Sequence, residues 1–231
     1  MNIPIQLPLN IQLRDDALFS NFFVGKNELL IETLKLFSQN IAEPFIYCYG
    51  EKGTGRSHLL QACCHLAFEK KHDAFYLSLK NFDELTPDIF NNLEQYELIC
   101  IDDIECILDN AKWAEAFFHF YNRMRDNKTN MLISAHQSPQ KLSCILPDLK
   151  SRLTSGLILE IQNLTDTQKI QVLKMRAENR GLFLSDDVAN YLLNRFSRNM
   201  SDLFSIFETL DRASLATKRK LTIPFIKTII F

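Results

Sequence analysis

The sequence is poor in glycine, holds one tryptophan, and has neither a Cys-x-x-Cys pair nor an apolar run approaching 18 residues. Without such a run no transmembrane helix is expected, and no basic-then-apolar leader opens the chain. Without Cys-x-x-Cys spacing, zinc and dithiol redox chemistry have little support. Of the six cysteines, Cys48 and Cys100 lie inside apolar runs and Cys63-Cys64 in a helical stretch. They read as reduced thiols of a cytoplasmic protein. An excess of positive charge is also missing: Lys+Arg number 26 against 28 Asp+Glu, a net charge of −2, so no global basic field advertises nucleic acid. Lys218-Arg219-Lys220, the longest basic run, reads as the solvated end of a helix. There are no internal repeats and no low-complexity segment.

What is present is 46% hydrophobic and 23% charged, an ordinary globular composition over 231 residues, enough for a large domain plus a small one. Strand-like apolar runs occupy 44–50, 74–79, 97–103 and 130–135, separated by helical segments at 56–71 and 113–124. In the latter, Trp113, Phe117, Phe120 and Met124 form a core-facing stripe. Strands alternating with helices predict a parallel sheet covered on both faces. After about residue 163 only helices are expected, near 165–179, 186–196 and 201–219, with Ser185-Asp186 and Ser201-Asp202 as N-caps and Gly181 as a stop.

Three of the six glycines fall within "GEKGTGRSH", residues 50–58, directly after a strand and before a helix. Gly50, Gly53, Gly55 and Ser57 stand where a phosphate-binding loop of the form G-x-x-x-x-G-K-[S/T] has them, except that Arg56 replaces the lysine; Thr54 within the loop and His58 just after it are further candidate contacts. Such a loop turns backbone N–H groups toward an anion at a helix N-terminus. A second strand, "LICIDD", ends in Asp102-Asp103. Asp102 is positioned to hold Mg²⁺ through water together with the Ser57 hydroxyl, and Asp103 stands where a water-activating carboxylate is common. By contrast His58, His65 and His72 recur every seven residues, about 10 Å along a helix, too far apart to share an ion.

In motif order the chain resembles the AAA+ proteins of the DnaA branch, and within it the regulatory inactivators of DnaA, nearly end to end. "FSNFFVGKNELL" (19–30) resembles the segment around the adenine, with Phe23 and Val24 as its contacts. "GEKGTGRSHLLQA" and "LICIDDIE" resemble the two Walker motifs, "LISAHQSPQKL" the sensor 1 segment, and "LPDLKSRLTSG" the box that holds an arginine finger, here Arg152. "LDRASLATKRKLTIPFIK" (210–227) resembles the closing helical segment. The implied fold is α/β: a five-stranded parallel sheet with helices on both faces over 16–162, then a helical lid over 163–231.

The resemblance implies ADP or ATP with Mg²⁺ as cofactor and weak hydrolysis by the chain itself. An arginine fork can grip phosphate, but it mimics poorly the compact ammonium that follows charge as a β–γ bond breaks. Ser201 stands at the sensor 2 position, where arginine is usual, with Arg198 one turn earlier, and His136 replaces an acidic sensor 1 residue. It further implies two partners, DnaA and the polymerase III β sliding clamp, with DNA reached only through the clamp, no membrane, and a possible homo-oligomer. Gln6, Leu7 and Leu9 of the tail, residues 1–15, resemble a clamp-docking peptide; Asn10 departs from it, leaving Ile11 or Leu13 to fill the second pocket. By the same resemblance, neither the N-terminal nor the DNA-reading C-terminal domain of the initiators is expected. The expected function is to stimulate hydrolysis of DnaA-bound ATP through Arg152 in trans. The alternatives are an adaptor and a helicase-loader-type ATPase.

Overall fold

The computed structural model describes residues 13–41 and 44–230. They cluster into two compact units, one of the described residues up to Glu51 with Gly55–Ile161, the other of Lys52–Thr54 with those from Gln162 onward.

In the first unit five strands make one sheet in which every pairing is parallel. They are β1 (Phe45–Tyr49), β2 (Ala74–Ser78), β3 (Leu98–Asp102), β4 (Asn130–Ala135) and β5 (Leu157–Glu160), in the order β2-β3-β4-β1-β5. Successive side chains point to opposite faces of a strand, and both faces here are covered. Tyr47, Ile99, Ile101 and Ile133 enter one core, with α3 (Ala111–Asp126) and α4 (Pro147–Leu153). Ile46, Cys48, Cys100 and Leu132 enter the other, with α1 (Glu28–Phe37) and α2 (Arg56–Glu69). Two-sided burial explains why the strands read as unbroken apolar runs.

The α3 stripe packs as its periodicity predicts: Trp113, Phe117, Phe120 and Met124 are buried, and Phe90 lies against three of them, stacked on Phe120 with centroids 5.1 Å apart. Truncating one such ring to alanine costs about 3–5 kcal/mol. Asn110 caps this helix by accepting from Trp113 N. Periodicity alone did not reveal α1, α4 or β5. β5 is a four-residue edge strand with partly exposed residues, too short and too mixed to carry a pattern.

The second unit contains α5 (Asp166–Asn179), α6 (Asp186–Arg195), α7 (Met200–Thr217) and α8 (Ile223–Ile230). Thr165 and Gln168 close a reciprocal capping box on α5, and Ser185 caps α6 as expected. The cap of α7 is Asn199, whose Oδ1 accepts from Ser201 N; the expected Ser201 already lies inside the helix, a correction of two residues. Asparagine and serine are about equally good N-caps, so composition does not distinguish them. Gly181 follows α5 at φ +70° and ends it. Lys218, at φ 53°, begins the exposed basic run just past α7.

Candidate nucleotide-binding site

The site is assembled at the carboxyl ends of β1, β3 and β4, where open parallel sheets hold their ligands. Gly50 N donates to Ala135 O at 3.2 Å, tying the start of the loop to the end of β4. Gly53 and Gly55 take φ +88° and +96°, which L side chains rarely adopt. Gly55 is doubly required, because a Cβ there would sit 2.7 Å from Phe22 Cε2. As the α2 N-cap it supplies no side-chain acceptor, and no acidic residue occupies the first turn. A helix so begun has orphan N–H groups and partial positive charge suited to an anion.

Arg56 opens α2 with its guanidinium turned toward protein. Nη1 donates to Gly50 O at 2.9 Å, Nη2 donates to Asp103 Oδ1 at 2.8 Å, and Glu105 lies 3.7 Å away. The side chain is only 13% exposed, so these contacts escape most solvent screening. Asp103 holds a left-handed backbone, φ 58° and ψ 48°, and its N–H donates to Ser134 Oγ at 3.2 Å. Burial, and next the neighbouring Asp102, push its carboxyl up to about 6, against the lowering effect of Arg56.

Asp102, 1% exposed, accepts from Tyr76 Oη at 2.9 Å and from Ser134 Oγ. Burial foremost, with Asp102 adding, raises the Tyr76 phenol above its ordinary range, so it stays a donor. Sequence reasoning missed Tyr76, Ser134 and Glu105. The parallel register pairing Tyr76 with Cys100 and Ile101 with Ile133 brings the first two near Asp102, and register is not readable from one strand. Glu105 had a signal, a third carboxylate in "DDIE". Its Oε1 accepts from His136 N at 3.0 Å and Nδ1 at 2.8 Å, while Oε2 is buried without a hydrogen-bond partner among the described residues.

Of the remaining predicted residues, His58 is held at 2.8 Å by Leu18 O, and its ring lies 5.6 Å from that of Phe22. His65 and His72 likewise meet Arg14 O and Glu97, apart from one another. Val24 packs on the α1–α2 core and Phe23 is half-buried; the ring against the loop is Phe22. Thr54 and Arg198 belong to the second unit, where Arg198 pairs with Asp166 at 3.3 Å. Arg152 is half-buried on α4; its carbonyl accepts from Ser155, while its guanidinium has no ion pair or hydrogen bond among the described residues. Gln6, Leu7 and Leu9 lie outside the described residues.

A hexacoordinate Mg²⁺ needs six oxygens. Ser57 and Asp102 offer a hydroxyl and a carboxylate already accepting two hydrogen bonds, and no group of three or more His, Cys, Asp or Glu among the described residues is arranged for a metal. That donor set fits an ion carried in by a nucleotide, with phosphate and water supplying most ligands. It does not fit a resident one.

This loop, strand-end carboxylates and sheet order define a P-loop domain of the AAA+ class. Residues 13–160 match the model of the bacterial DnaA ATPase domain, and 166–230 that of the Hda lid domain. An uncharacterised protein of Haemophilus influenzae is 44% identical over 226 residues, 97% of this chain and 98% of that one. Domain III of the Thermotoga maritima initiator DnaA superposes with a TM-score of 0.80 at 19% identity, over 95% and 97% of the two chains. AMPPCP-bound DnaA from Aquifex aeolicus gives 0.72 at 25% identity, over 85% of this chain and 65% of that one. The chain belongs to the DnaA-related AAA+ family, as an Hda-like member. No helix among the described residues is long and apolar enough to cross a membrane.

Proposed function

We infer that the chain is a nucleotide-binding regulator of replication initiation, which docks on the DNA-loaded sliding clamp and stimulates hydrolysis of DnaA-bound ATP. Its own loop holds ADP, or ATP, as a structural ligand. Phosphates meet the N–H groups of Gly53 to His58, Arg56 stands beside them, and Phe23, Val24 and Arg198 are the remaining contacts. Ser57, and Asp102 through water, would hold a Mg²⁺ carried by the nucleotide, whose charge offsets that of the phosphates. Turnover by the chain itself is slow: Arg56 is shared with Asp103 and Glu105, and Asp103 is occupied as an ion-pair partner.

The observation that carries the reading is the guanidinium of Arg152 on α4, which has no ion pair or hydrogen bond among the described residues. Placed in the nucleotide site of a neighbouring DnaA, it would neutralise charge developing on the γ-phosphate. A finger given in trans is worth about 10³–10⁵ in rate. Gln6, Leu7 and Leu9 anchor the protein to the clamp, so DNA is reached only indirectly and the reaction is confined to the cytoplasm near recent replication. Self-association through the same head-to-tail geometry is part of the reading.

The test is turnover of DnaA-bound ATP with the protein and DNA-loaded clamp added together. Stimulation that requires both supports the reading, and Gln6→Ala/Leu7→Ala removes it along with clamp capture. Brisk ATP turnover by the protein alone favours a helicase-loader-type ATPase instead, and partner tethering without stimulation favours an adaptor.

A further inference from the structure

Resting on the nucleotide reading above, we propose that Glu105, held by His136, is a specificity-determining residue that opposes the terminal phosphate of a nucleoside triphosphate. Three facts converge on it. Glu105 is fixed rather than waving: one oxygen accepts both the backbone N–H and the ring Nδ1 of His136, at 3.0 and 2.8 Å. It is poorly solvated, its side chain 17% exposed and its Oε2 buried with no hydrogen-bond partner among the described residues. And it lies 3.7 Å from Arg56, the one side-chain cation in the loop's lysine position, which Asp103 already engages at 2.8 Å.

The charge balance follows. Arg56 faces two carboxylates, so its field is largely cancelled before any ligand arrives. The inner phosphates of a nucleotide are served by the loop and helix N–H groups, which the carboxylates leave alone. A third phosphate extends toward the strand ends and must compete with Asp103 and Glu105 for the same guanidinium. It also brings its own negative charge against a carboxylate that solvent screens weakly. Asp103 is needed to anchor the left-handed turn after β3, whereas the Glu105 carboxylate pairs, among the described residues, with Arg56 and His136. Glu105 is therefore the residue whose charge can be removed while the site is kept.

The experiment measures Kd for ADP and for AMPPCP by calorimetry in EDTA, so that no divalent cation masks the phosphates. Glu105→Gln keeps the acceptor for His136 and removes the charge; it should lower the ratio Kd(AMPPCP)/Kd(ADP) about tenfold. His136→Ala, at a side chain 49% exposed, frees Glu105 from its ring contact and should lower the ratio less, about threefold. Glu97→Gln is the control: that glutamate also pairs with a histidine, His72 at 2.7 Å, but precedes β3 at its opposite end and should leave the ratio unchanged. If ADP binds and neither Glu105→Gln nor His136→Ala moves the ratio, the assignment of Glu105 is wrong while the nucleotide reading stands. If the unmodified chain binds neither compound, the nucleotide reading itself fails, and this inference with it.

Discussion

Arg56 and Asp103 form an ion pair of 2.8 Å between the first residue of α2 and the residue after β3, both side chains less than a fifth exposed. The pair joins the two segments that a P-loop site keeps ready for phosphate and water. It makes the cation at the lysine position a structural tie between them. An arginine suits this better than a lysine, because its planar fork can donate to Gly50 O and Asp103 at once.

The tie predicts a displaced titration. Asp103 should titrate near 6 in a carboxyl-carbon NMR experiment, since burial raises it most and Arg56 only partly offsets this. Arg56→Ala should move the midpoint higher still. The linkage has a definite sign: a carboxyl raised in the folded state favours the protonated fold. Its contribution is fully present below the unfolded value of about 3.9 and is lost as pH rises through 6. A midpoint near 4 in the parent would contradict the buried placement of Asp103.

Gly55→Ala should cost stability and ligand together. At φ +96° an L side chain is strained, and the new methyl would press on Phe22. Such backbone strain is worth about 1–3 kcal/mol. We expect a lower urea midpoint with an unchanged slope, and loss of the ADP-induced rise in melting temperature. Gly55→Ala/Phe22→Leu should recover part of the stability, since it relieves the contact and leaves the backbone angle. Full stability in the single variant would mean that the loop has another conformation.

The cysteines provide an independent check on the cores. Cys48, Cys63, Cys64 and Cys100 are buried, while Cys106 and Cys144 are half-buried. Burial pushes the Cys48 thiol up to about 12 and Cys63 well above its ordinary value. Thiolate is the reactive form. Ellman's reagent at pH 8 should therefore modify Cys144 first, then Cys106, whose thiol burial also raises. The other four should react only after unfolding. Immediate reaction of all six would place the strands differently.

Much of this is legible in the amino-acid sequence alone. The apolar runs gave four of the sheet's strands, because a strand buried on both faces needs no polar alternation. The α3 stripe was equally plain. The glycines at 53 and 55 marked the loop because few other residues tolerate its backbone angles. What escaped were pairings made by register and chain crossing. Tyr76 and Ser134 come from different strands, and their convergence on Asp102 depends on which strand is whose neighbour. Phe22, beside the expected adenine contact Phe23, packs its ring next to Gly55, a placement that aromatic composition does not reveal.

The Arg152 guanidinium holds no partner among the described residues, and α4 is anchored instead by Leu149 and Leu153, both fully buried. Arg152→Ala should therefore leave the melting temperature within about 0.5 kcal/mol equivalent of the parent, as for surface substitutions away from special features. ADP binding and clamp capture should persist, because neither uses that side chain. Stimulation of DnaA-bound ATP hydrolysis should nonetheless fall by about 10³-fold or more, the scale of a lost finger. Arg152→Lys should rescue little, since a flexible point charge does not reproduce the fork at a developing oxyanion. The clamp-tail variant makes the contrast useful. It should regain stimulation at high protein concentration, because it fails by not arriving. Arg152→Ala should stay inactive at any concentration, because it arrives and does not neutralise the phosphate. Undiminished stimulation by Arg152→Ala would assign α4 to docking alone and leave the adaptor reading in its place.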